Sequence, residues 1–313
     1  MADFVIYADS SSNIPDELRI SRDIRIVSYY CTVDGKELPC AEQGGNYSET
    51  AKEYYRKMRE SADVKTSLIV ESRFVEALTP ALEQNQDVLL FTIASGISGT
   101  YQQALAAKKT LEKQFPKRKV YVLDSANASL GEGLLVLKAA DLRDMGESAE
   151  TCSEWVKRNA YKMNSYFTVE DLKYLRKGGR ISRTLAIAGS LLNIKPLLRA
   201  DGSTNAKISF FGKARGRKKS VSALVEAFDK HAVRPEGQTV GIAHADCEEE
   251  ALELAATIKE HGARDVIVEY YDICSGTHVG PGTLALFFMG KDRKNEAPQA
   301  EAAPQGKTVP HRV

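Results

Sequence analysis

One stretch constrains the fold of this chain more than any other: an apolar run that passes through a loop of small residues into a helical pattern. Residues 87–93 resemble a buried strand, and from Tyr101 apolar side chains recur at helical spacing until Pro116. The loop between them contains Ser95, Gly96, Ser98, Gly99 and Thr100. A strand that enters a helix through such a loop leaves backbone N–H groups free, and these favour an anion such as a phosphate or a carboxylate. The same pattern also fits an ordinary helix start capped by Ser95 or Ser98.

The order of strand, hydroxyl-rich loop and helix recurs in the first half of the chain. It appears at residues 4–8 with Asp9, Ser10 and Ser11, at residues 63–67 with Thr66, and at residues 119–123 with Asp124 and Ser125. This alternation predicts an α/β fold with a mostly parallel sheet and helices on both faces. Because ligands of such sheets bind at the carboxyl ends of the strands, we expect Asp9, Thr66, Ser95 and Asp124 to meet at one edge.

A second domain is indicated beyond Tyr166, where strands follow one another through turns. The sequence therefore predicts an N-terminal α/β domain over residues 1–160 and a C-terminal α+β domain over residues 161–290. Residues 291–313 are polar and rich in Ala, Pro and Gln, which is typical of a disordered tail.

Charge and cysteine content exclude several classes of protein. The net charge is +1, so no global field favours nucleic acid as a partner. The five cysteines are an odd number without a C-x-x-C pair, which argues against a disulfide framework or a zinc site and fits a reducing cytoplasm. The N-terminus lacks the pattern of a signal peptide, and no apolar run is long enough to cross a bilayer. We expect a soluble cytoplasmic protein.

Familiar catalytic motifs are incomplete in this chain. Residues 131–133 read Gly-Glu-Gly, but Val136 stands where a dinucleotide fingerprint needs its third glycine. Ser95 lacks the flanking glycines of a hydrolase elbow, although its pairing with a distant histidine remains open. Among the histidines, His278 stands out because a loop rich in glycine, with Pro281, encloses it. The basic run at residues 213–219 fits either a solvated helix start or a dock for an acidic partner or a phosphorylated ligand.

Taken together, these blocks resemble the DegV family of bacterial fatty-acid-binding proteins. The resemblance rests on the order and spacing of Asp9-Ser10-Ser11, residues 95–101, Asp124-Ser125, residues 131–133, residues 171–181, residues 193–196, residues 215–219 and residues 278–282. It covers nearly the whole chain before the tail.

The resemblance implies a two-domain fold of the DegV (EDD) type with one long-chain fatty acid between the domains and no further cofactor. Such a protein is not itself an enzyme but the acyl-carrying subunit of a bacterial fatty acid kinase. A separate ATP-binding subunit phosphorylates the bound carboxylate, and the acyl phosphate enters phospholipid synthesis, with transient contact to an acyltransferase or a membrane. Two alternatives remain: a serine esterase or acyltransferase that uses Ser95 and His278, and a regulator that only senses lipid.

The resemblance also assigns roles to residues. It makes Thr66, Ser95 and His278 the carboxylate ligands. Supporting loops would contain Asp9, Ser10, Ser11, Gly96, Ser98, Gly99, Thr100, Asp124, Ser125 and Gly280, and the kinase subunit would dock on Arg176, Arg180, Arg215, Arg217 and Lys218. One departure concerns Leu68-Ile69, which stand where the family usually carries Gln-Pro, so the loop after Thr66 differs from the family pattern.

Overall fold

Three β-sheets organise the protein in a computed structural model that describes residues 4–40, 47–181 and 193–295. The strands are β1 (Phe4–Asp9), β2 (Ile24–Val27), β3 (Tyr30–Val33), β4 (Lys36–Pro39), β5 (Val64–Ser67), β6 (Asp87–Thr92), β7 (Val120–Asp124), β8 (Met163–Thr168), β9 (Ile194–Ala200), β10 (Ile208–Arg215), β11 (Thr239–His244), β12 (Asp265–Tyr270) and β13 (Leu284–Met289). The helices are α1 (Asp16–Ser21), α2 (Tyr47–Arg59), α3 (Glu71–Glu83), α4 (Thr100–Gln114), α5 (Leu130–Asp144), α6 (Ala149–Asn159), α7 (Lys173–Lys177), α8 (Arg217–His231), α9 (Glu248–Glu260) and α10 (Ile273–Val279).

The first sheet has the strand order β2-β1-β6-β7, and all its pairs are parallel. Every residue of β1 is buried, as are five of the six residues of β6. Strands buried on both faces are expected where helices cover both sides of a parallel sheet. The predicted α/β architecture of the first half is therefore confirmed.

The second sheet is mixed, with the order β10-β9-β8-β13-β11-β12. Only β11 and β12 pair in parallel, while β13 runs antiparallel to both β8 and β11. This matches the α+β arrangement expected for the second half. The expected domain boundary after residue 160 falls in a short 3-10 turn, Ala160–Lys162, that leads from α6 into β8, and the division itself stays a prediction.

The third sheet corrects the expectation for Thr66. Strand β5 does not join the parallel sheet but pairs antiparallel with β3 in a small sheet of order β4-β3-β5. Thr66 lies opposite Cys31 there. The sequence of a four-residue strand does not specify which strand it pairs with. The prediction therefore relied on the similarity of this segment to the neighbouring strand-loop-helix units, whereas β5 in fact pairs with β3. Thr66 therefore does not lie at the carboxyl edge of the parallel sheet.

A buried carboxylate ties together the elements at that edge. Asp9, at the end of β1, accepts hydrogen bonds from the backbone N–H and the hydroxyl of Ser11 (2.9 and 2.5 Å), from Ile93 N after β6 (2.8 Å) and from the Tyr29 hydroxyl (3.3 Å). Burial raises the pKa of Asp9 to about 6, although these four donors oppose the shift.

A second buried acid, Glu132 of α5, completes this network. Its Oε2 lies 3.1 Å from the Ser11 hydroxyl oxygen, which also contacts Asp9. A hydroxyl has one hydrogen, so Ser11 cannot donate to both carboxyls at once, and a neutral Glu132 would leave the Ser11 hydrogen to Asp9. Burial, and then the Asp9 charge, raise the pKa of Glu132 well above its ordinary value, in agreement with this assignment.

Glycine allows α5 to reach the network. A Cβ on Gly133 would lie 2.3 Å from the carbonyl oxygen of Ser12. No side chain fits at that position, so the helix backbone packs directly on the Ser10–Ser12 turn. The Gly-Glu-Gly sequence is thus a close-packing device that brings Glu132 against Ser11.

Asn13 and Arg293 are among the side chains that join the first half to the second. Asn13 accepts hydrogen bonds at Oδ1 from Ser129 Oγ (2.8 Å) and Asp272 N (3.1 Å), and its amide donates to Tyr270 O (2.5 Å). Arg293 is 3% exposed, and its guanidinium donates to the carbonyl oxygens of Ala200 (2.9 Å), Ala126 (2.8 Å) and Ala160 (3.4 Å). The predicted tail is corrected for residues 291–295, which pack against the body, and residues 296–313 lie outside the described residues.

We predict that Glu132→Gln stabilises the protein in a pH-dependent way. A group whose pKa is raised by folding stabilises the fold below its unfolded pKa and loses that contribution as the pH rises toward the folded value. Wild-type protein should therefore lose stability relative to the variant above about pH 4.5, Glu132's ordinary pKa. Glutamine keeps a donor for Ser11 and cannot ionise. Urea unfolding from pH 4 to pH 9 should show a free energy of unfolding that is higher for the variant by on the order of 1–3 kcal/mol at the alkaline end.

The control for this prediction is Glu253→Gln at an exposed position on α9. If the free energy of unfolding of Glu132→Gln depends on pH in the same way as that of wild type, the assignment is contradicted.

Candidate functional site

A cavity of about 250 Å³ lies between the first and second sheets, with the third sheet on one side. Most of its wall is apolar and comes from both halves of the chain. The apolar and aromatic lining residues include Ile93, Ile97, Ala128, Phe167, Leu175, Ala200, Ile208, Val279 and Phe287. The polar lining residues are Ser11, Tyr29, Thr66, Ser67, Ser98, Asn127, Ser165, Arg180, Tyr271, Ser275 and His278. Such a cavity suits an elongated ligand with a polar end.

Thr66 and His278 meet at this cavity. The Thr66 hydroxyl lies 3.0 Å from His278 Nε2, and the contact joins β5 to the end of α10. Burial, and then the nearby Arg180 charge, lower the pKa of His278 to about 4, so the imidazole is neutral at pH 7. A neutral imidazole has one N–H donor, and together with the hydroxyl it provides a short chain of donors without a positive charge on the ring. The structure therefore brings together two of the three predicted ligands.

Close packing holds the His278 ring in place. A Cβ on Gly178, just after α7, would lie 2.3 Å from His278 Nδ1, so any larger residue there would displace the ring. Gly280, a predicted loop residue, has φ +82° and lies against the Tyr174 ring. Glycine is needed at both positions, in the first case for space and in the second for conformation as well.

Arg180 lies at the cavity rather than on an outer docking face. Its guanidinium donates to Ile97 O (3.2 Å) and Gly178 O (2.5 Å), and within the described part of the chain it forms no ion pair with a carboxylate. A half-buried cation that has no carboxylate partner among the described residues, next to a neutral histidine, complements an anionic ligand. The sequence analysis assigned Arg180 to the docking residues for the kinase subunit. In the structure, Arg180 also lines the cavity.

Ser95 occupies a different place from the one expected of a ligand. Its backbone N–H contacts the Asp124 carboxylate (3.2 and 3.3 Å), and its side chain is not among the residues that line the cavity. Ser98 and Gly99 line the cavity instead, and the Ser98 hydroxyl contacts Thr100 Oγ1 (3.0 Å). No hydrogen bond joins Ser95 to His278 among the described residues, so the structure does not form the dyad that an esterase would use.

The predicted supporting loops do hold this end of the sheet together. The Ser10 hydroxyl accepts from Tyr29 N (2.9 Å), and Asp124 accepts from Ala126 N (2.8 Å). The Ser125 hydroxyl donates to Asn127 O (3.0 Å). A Cβ on Gly96 would lie 2.1 Å from Asn205 O, so the loop after β6 packs on the second half of the chain. These contacts hold the loops that shape the cavity, although Ser10, Gly96, Asp124 and Ser125 are not among the residues that line it.

The predicted docking residues differ in their surroundings. Arg176, Arg215 and Lys218 are exposed. Arg217 is instead held by Glu250, with Nη2 2.6 Å from Oε2 and Nε 3.1 Å from Oε1. A guanidinium paired in this bidentate way within its own chain is less available to a partner.

Several residues of the site were not predicted from sequence. Tyr29 links Asp9 to Thr100, with its hydroxyl 2.8 Å from Thr100 Oγ1. Asn127 lines the cavity while its amide donates to Ser125 O and Ala160 O. Asp272 caps α10 and is fully buried, and burial raises its pKa to about 6. The sequence feature that could best have indicated this part of the structure is the glycine pair around Glu132. Glycines on a helix mark close packing, here of α5 against the turn after β1.

The polar groups at the cavity suit the binding of a carboxylate. Within the described ranges, no group of His, Cys, Asp and Glu is placed to hold a metal ion. The same ranges contain no helix with the length and apolar character needed to cross a membrane. Hydroxyls, a neutral imidazole and one guanidinium at an apolar cavity can together hold a carboxylate whose tail is buried.

Comparison with known proteins agrees with the resemblance seen in the sequence. The DegV family model matches residues 3–291. A DegV domain-containing protein of Clostridium perfringens is 38% identical over 295 residues, which cover 94% of this chain and all of the relative. One similar structure is that of a DegV family protein of Thermus thermophilus, described by its fatty acid binding, with a TM-score of 0.79, 29% identity and coverage of 91% of this chain and 98% of that one. Another is DegV of Bacillus subtilis, described as a fatty acid binding protein, with a TM-score of 0.77, 28% identity and coverage of 93% and 100%. By sequence and by fold, the chain belongs to the DegV family.

Proposed function

We propose that this protein binds one long-chain fatty acid in the cavity, with the carboxylate at Thr66 and His278. The observation that carries the proposal is the pairing of Thr66 Oγ1 with neutral His278 Nε2 at a cavity whose remaining wall is largely apolar. When His278 Nε2–H donates to Thr66 Oγ1, the threonine hydroxyl is free to donate to the carboxylate. Arg180 supplies the compensating positive charge.

The free energy of binding comes mainly from the tail. Burial of about fifteen methylenes contributes on the order of 12 kcal/mol gross, at ~0.8 kcal/mol each. Phe167, Ala200, Ile208 and Phe287 of the second sheet provide much of the apolar surface. The head group therefore needs hydrogen bonds for orientation more than for affinity. The related Thermus and Bacillus proteins, both described as binding fatty acids, support this part of the proposal.

The finer role is that of a carrier. In this proposal the protein presents the carboxylate to a separate ATP-binding kinase subunit, which forms the acyl phosphate for phospholipid synthesis by an acyltransferase at the membrane. The family resemblance supports it, as do the exposed cations Arg176, Arg215 and Lys218. The absence of a complete nucleotide motif in the sequence is consistent with ATP being bound by the partner.

Protein purified from a bacterial cytoplasm should carry a fatty acid. Organic extraction followed by mass spectrometry is expected to recover close to one acyl chain per protein molecule. Cytoplasmic protein that is empty and also fails to take up added palmitate would contradict the proposal. An acyl group attached to a Ser95 peptide would instead favour the esterase alternative, because a carrier forms no covalent intermediate.

Replacement of Thr66 by valine should weaken carboxylate binding while the tail still binds. The change removes the hydroxyl at nearly constant volume, and a hydrogen bond to a charged group contributes about 1.5–3 kcal/mol, or roughly 10-fold to 150-fold in affinity. Titration with a fluorescent fatty acid measures the loss. Thr257→Val on α9, outside the cavity wall, is the matched control, and Ser95→Ala should have a smaller effect than Thr66→Val. Equal affinities for wild type and Thr66→Val would remove Thr66 from the site.

Charge reversal at the exposed cations should separate carrying from binding. Arg176→Glu, Arg215→Glu and Lys218→Glu together are expected to lower the rate of acyl phosphate formation with the kinase subunit and ATP by about tenfold or more. Affinity for palmitate should not change. Arg217 is left intact because it pairs with Glu250, and Lys109→Glu on α4 serves as a control at another exposed lysine. An unchanged rate would show that the partner docks elsewhere.

A further inference from the structure

The second sheet contributes to the cavity wall a row of side chains that comes from four adjacent strands. Ser165 on β8 lies directly opposite Phe287 on β13. The β8–β9 register, continued by one residue, puts Ala200 on the other side of Ser165, and Ile208 on β10 pairs with Ala200. Opposite residues on neighbouring strands point to the same face of a sheet, and all four of these residues line the cavity. Ser165 is thus the polar member of a row that is otherwise apolar.

The hydroxyl of Ser165 is available to a ligand. Ser165 is 7% exposed, and its side chain forms no hydrogen bond with another residue in the described parts of the chain. Other hydroxyls at the cavity are already paired within the protein: Ser11 Oγ donates to Asp9, Ser67 Oγ donates to Tyr30 O (3.2 Å), and Ser98 Oγ contacts Thr100 Oγ1 (3.0 Å). A plain alkyl chain over Ser165 would remove water from its hydroxyl without replacing the lost hydrogen bonds, which weakens binding.

A second polar atom without a partner lies next to the same row. Asn127 is 1% exposed, and its amide nitrogen donates to two backbone carbonyls, at 3.0 and 3.2 Å. Its Oδ1 receives no hydrogen bond from any residue that the structure describes. A Cβ on Gly131 would lie 2.9 Å from this Oδ1 and 2.8 Å from Phe287 Cδ1, so the oxygen lies beside the Phe287 ring. The neighbours of Phe287 therefore include an acceptor without a donor as well as the Ser165 hydroxyl.

Ser165 lies away from the head-group end of the cavity. Thr283, just before β13, donates from its hydroxyl to Val279 O (3.0 Å), so the end of α10 lies against the start of β13. That end of α10 carries His278. The start of β13 pairs with the carboxyl end of β8, and Ser165 lies three residues before that end, or about 10 Å away at ~3.3 Å per residue. Ser165 therefore faces the alkyl chain of a bound fatty acid rather than its carboxylate.

We propose that the preferred ligand of this cavity is a long-chain fatty acid with a hydroxyl group on its alkyl chain, at the depth where that hydroxyl accepts a hydrogen bond from Ser165. An alcohol oxygen accepts from the serine and brings a hydrogen of its own into a region that holds a further unused acceptor, whereas a methylene leaves the serine hydroxyl unpaired. The apolar members of the row pack against the chain on either side. The inference rests on the proposed function, because it concerns the chain of the same bound fatty acid.

The test compares stearate with a series of hydroxystearates whose hydroxyl moves along the chain, each competing with a fluorescent fatty acid for the delipidated full-length protein. In wild type, the hydroxystearate that matches Ser165 should bind at least as tightly as stearate. Hydroxyls at other mid-chain carbons should weaken binding about tenfold or more, because they are buried without a partner.

Replacement of Ser165 by alanine should reverse this preference. Stearate should bind more tightly to Ser165→Ala and the matching hydroxystearate more weakly, each by about two- to tenfold. A residue that only supports the fold would change both affinities in the same direction. Ser165→Cys keeps the size of the side chain with a weaker donor, and its preference should lie between those of wild type and Ser165→Ala.

A buried serine elsewhere in the chain provides the matched control. Ser153 on α6 is 1% exposed, its hydroxyl has no partner among the described residues, and it does not line the cavity, so Ser153→Ala should keep the wild-type preference. Circular dichroism confirms that each variant is folded. An unchanged ratio of the two affinities in Ser165→Ala would overturn the inference, as would a wild type that binds every hydroxystearate more weakly than stearate. In both cases the binding of stearate leaves the proposed function intact, whereas failure to bind stearate and all hydroxystearates would overturn both.

Discussion

The buried Asp9 carboxylate is the interaction on which this architecture depends most. Its four donors come from the turn after β1, the chain after β6 and the segment between β2 and β3. These segments have only their position at one end of the parallel sheet in common. Replacing water around a carboxylate is costly unless donors compensate, and four well-placed donors allow Asp9 to be buried. The cavity wall at Ser11, Tyr29 and Ile93 is built on this one group.

The head-group site depends on this frame but is assembled from other parts. Thr66 comes from the small third sheet, His278 from a short helix after β12, and Arg180 from the segment after α7. None of the three belongs to the parallel sheet or to the loops at its carboxyl edge. The parallel sheet therefore works as the rigid base, and the residues with ligand-like chemistry reach the cavity from elements packed against it. A site built this way can vary its chemistry without a change in the sheet.

A structural feature was predictable from sequence when it depends on residues that are close together in the chain, and was not when it depends on contacts between distant segments. The strands β1, β6 and β7 and the loops after them depend on local composition, so their places were predicted correctly. The partner of β5 depends on a contact with a strand more than thirty residues earlier, and the four residues of β5 did not reveal it. In the loop after β6, the residues that face the cavity depend on backbone geometry, and there the structure favours Ser98 over Ser95. The raised pKa of Glu132 was not predictable from sequence, because it depends on burial by groups far apart in the chain.

The position of β13 has a consequence for how the protein is made. Of the thirteen strands in the described residues this one comes last in the chain, yet it lies in the middle of the second sheet, between β8 and β11. Until it leaves the ribosome, β8 and β11 each have an edge with unpaired backbone groups, and the sheet exists as two separate pieces. At a synthesis rate of 5–20 residues per second, β8 waits on the order of ten seconds for its partner. During that time, its exposed edge can pair with other chains, so the nascent protein carries an aggregation-prone edge until β13 emerges.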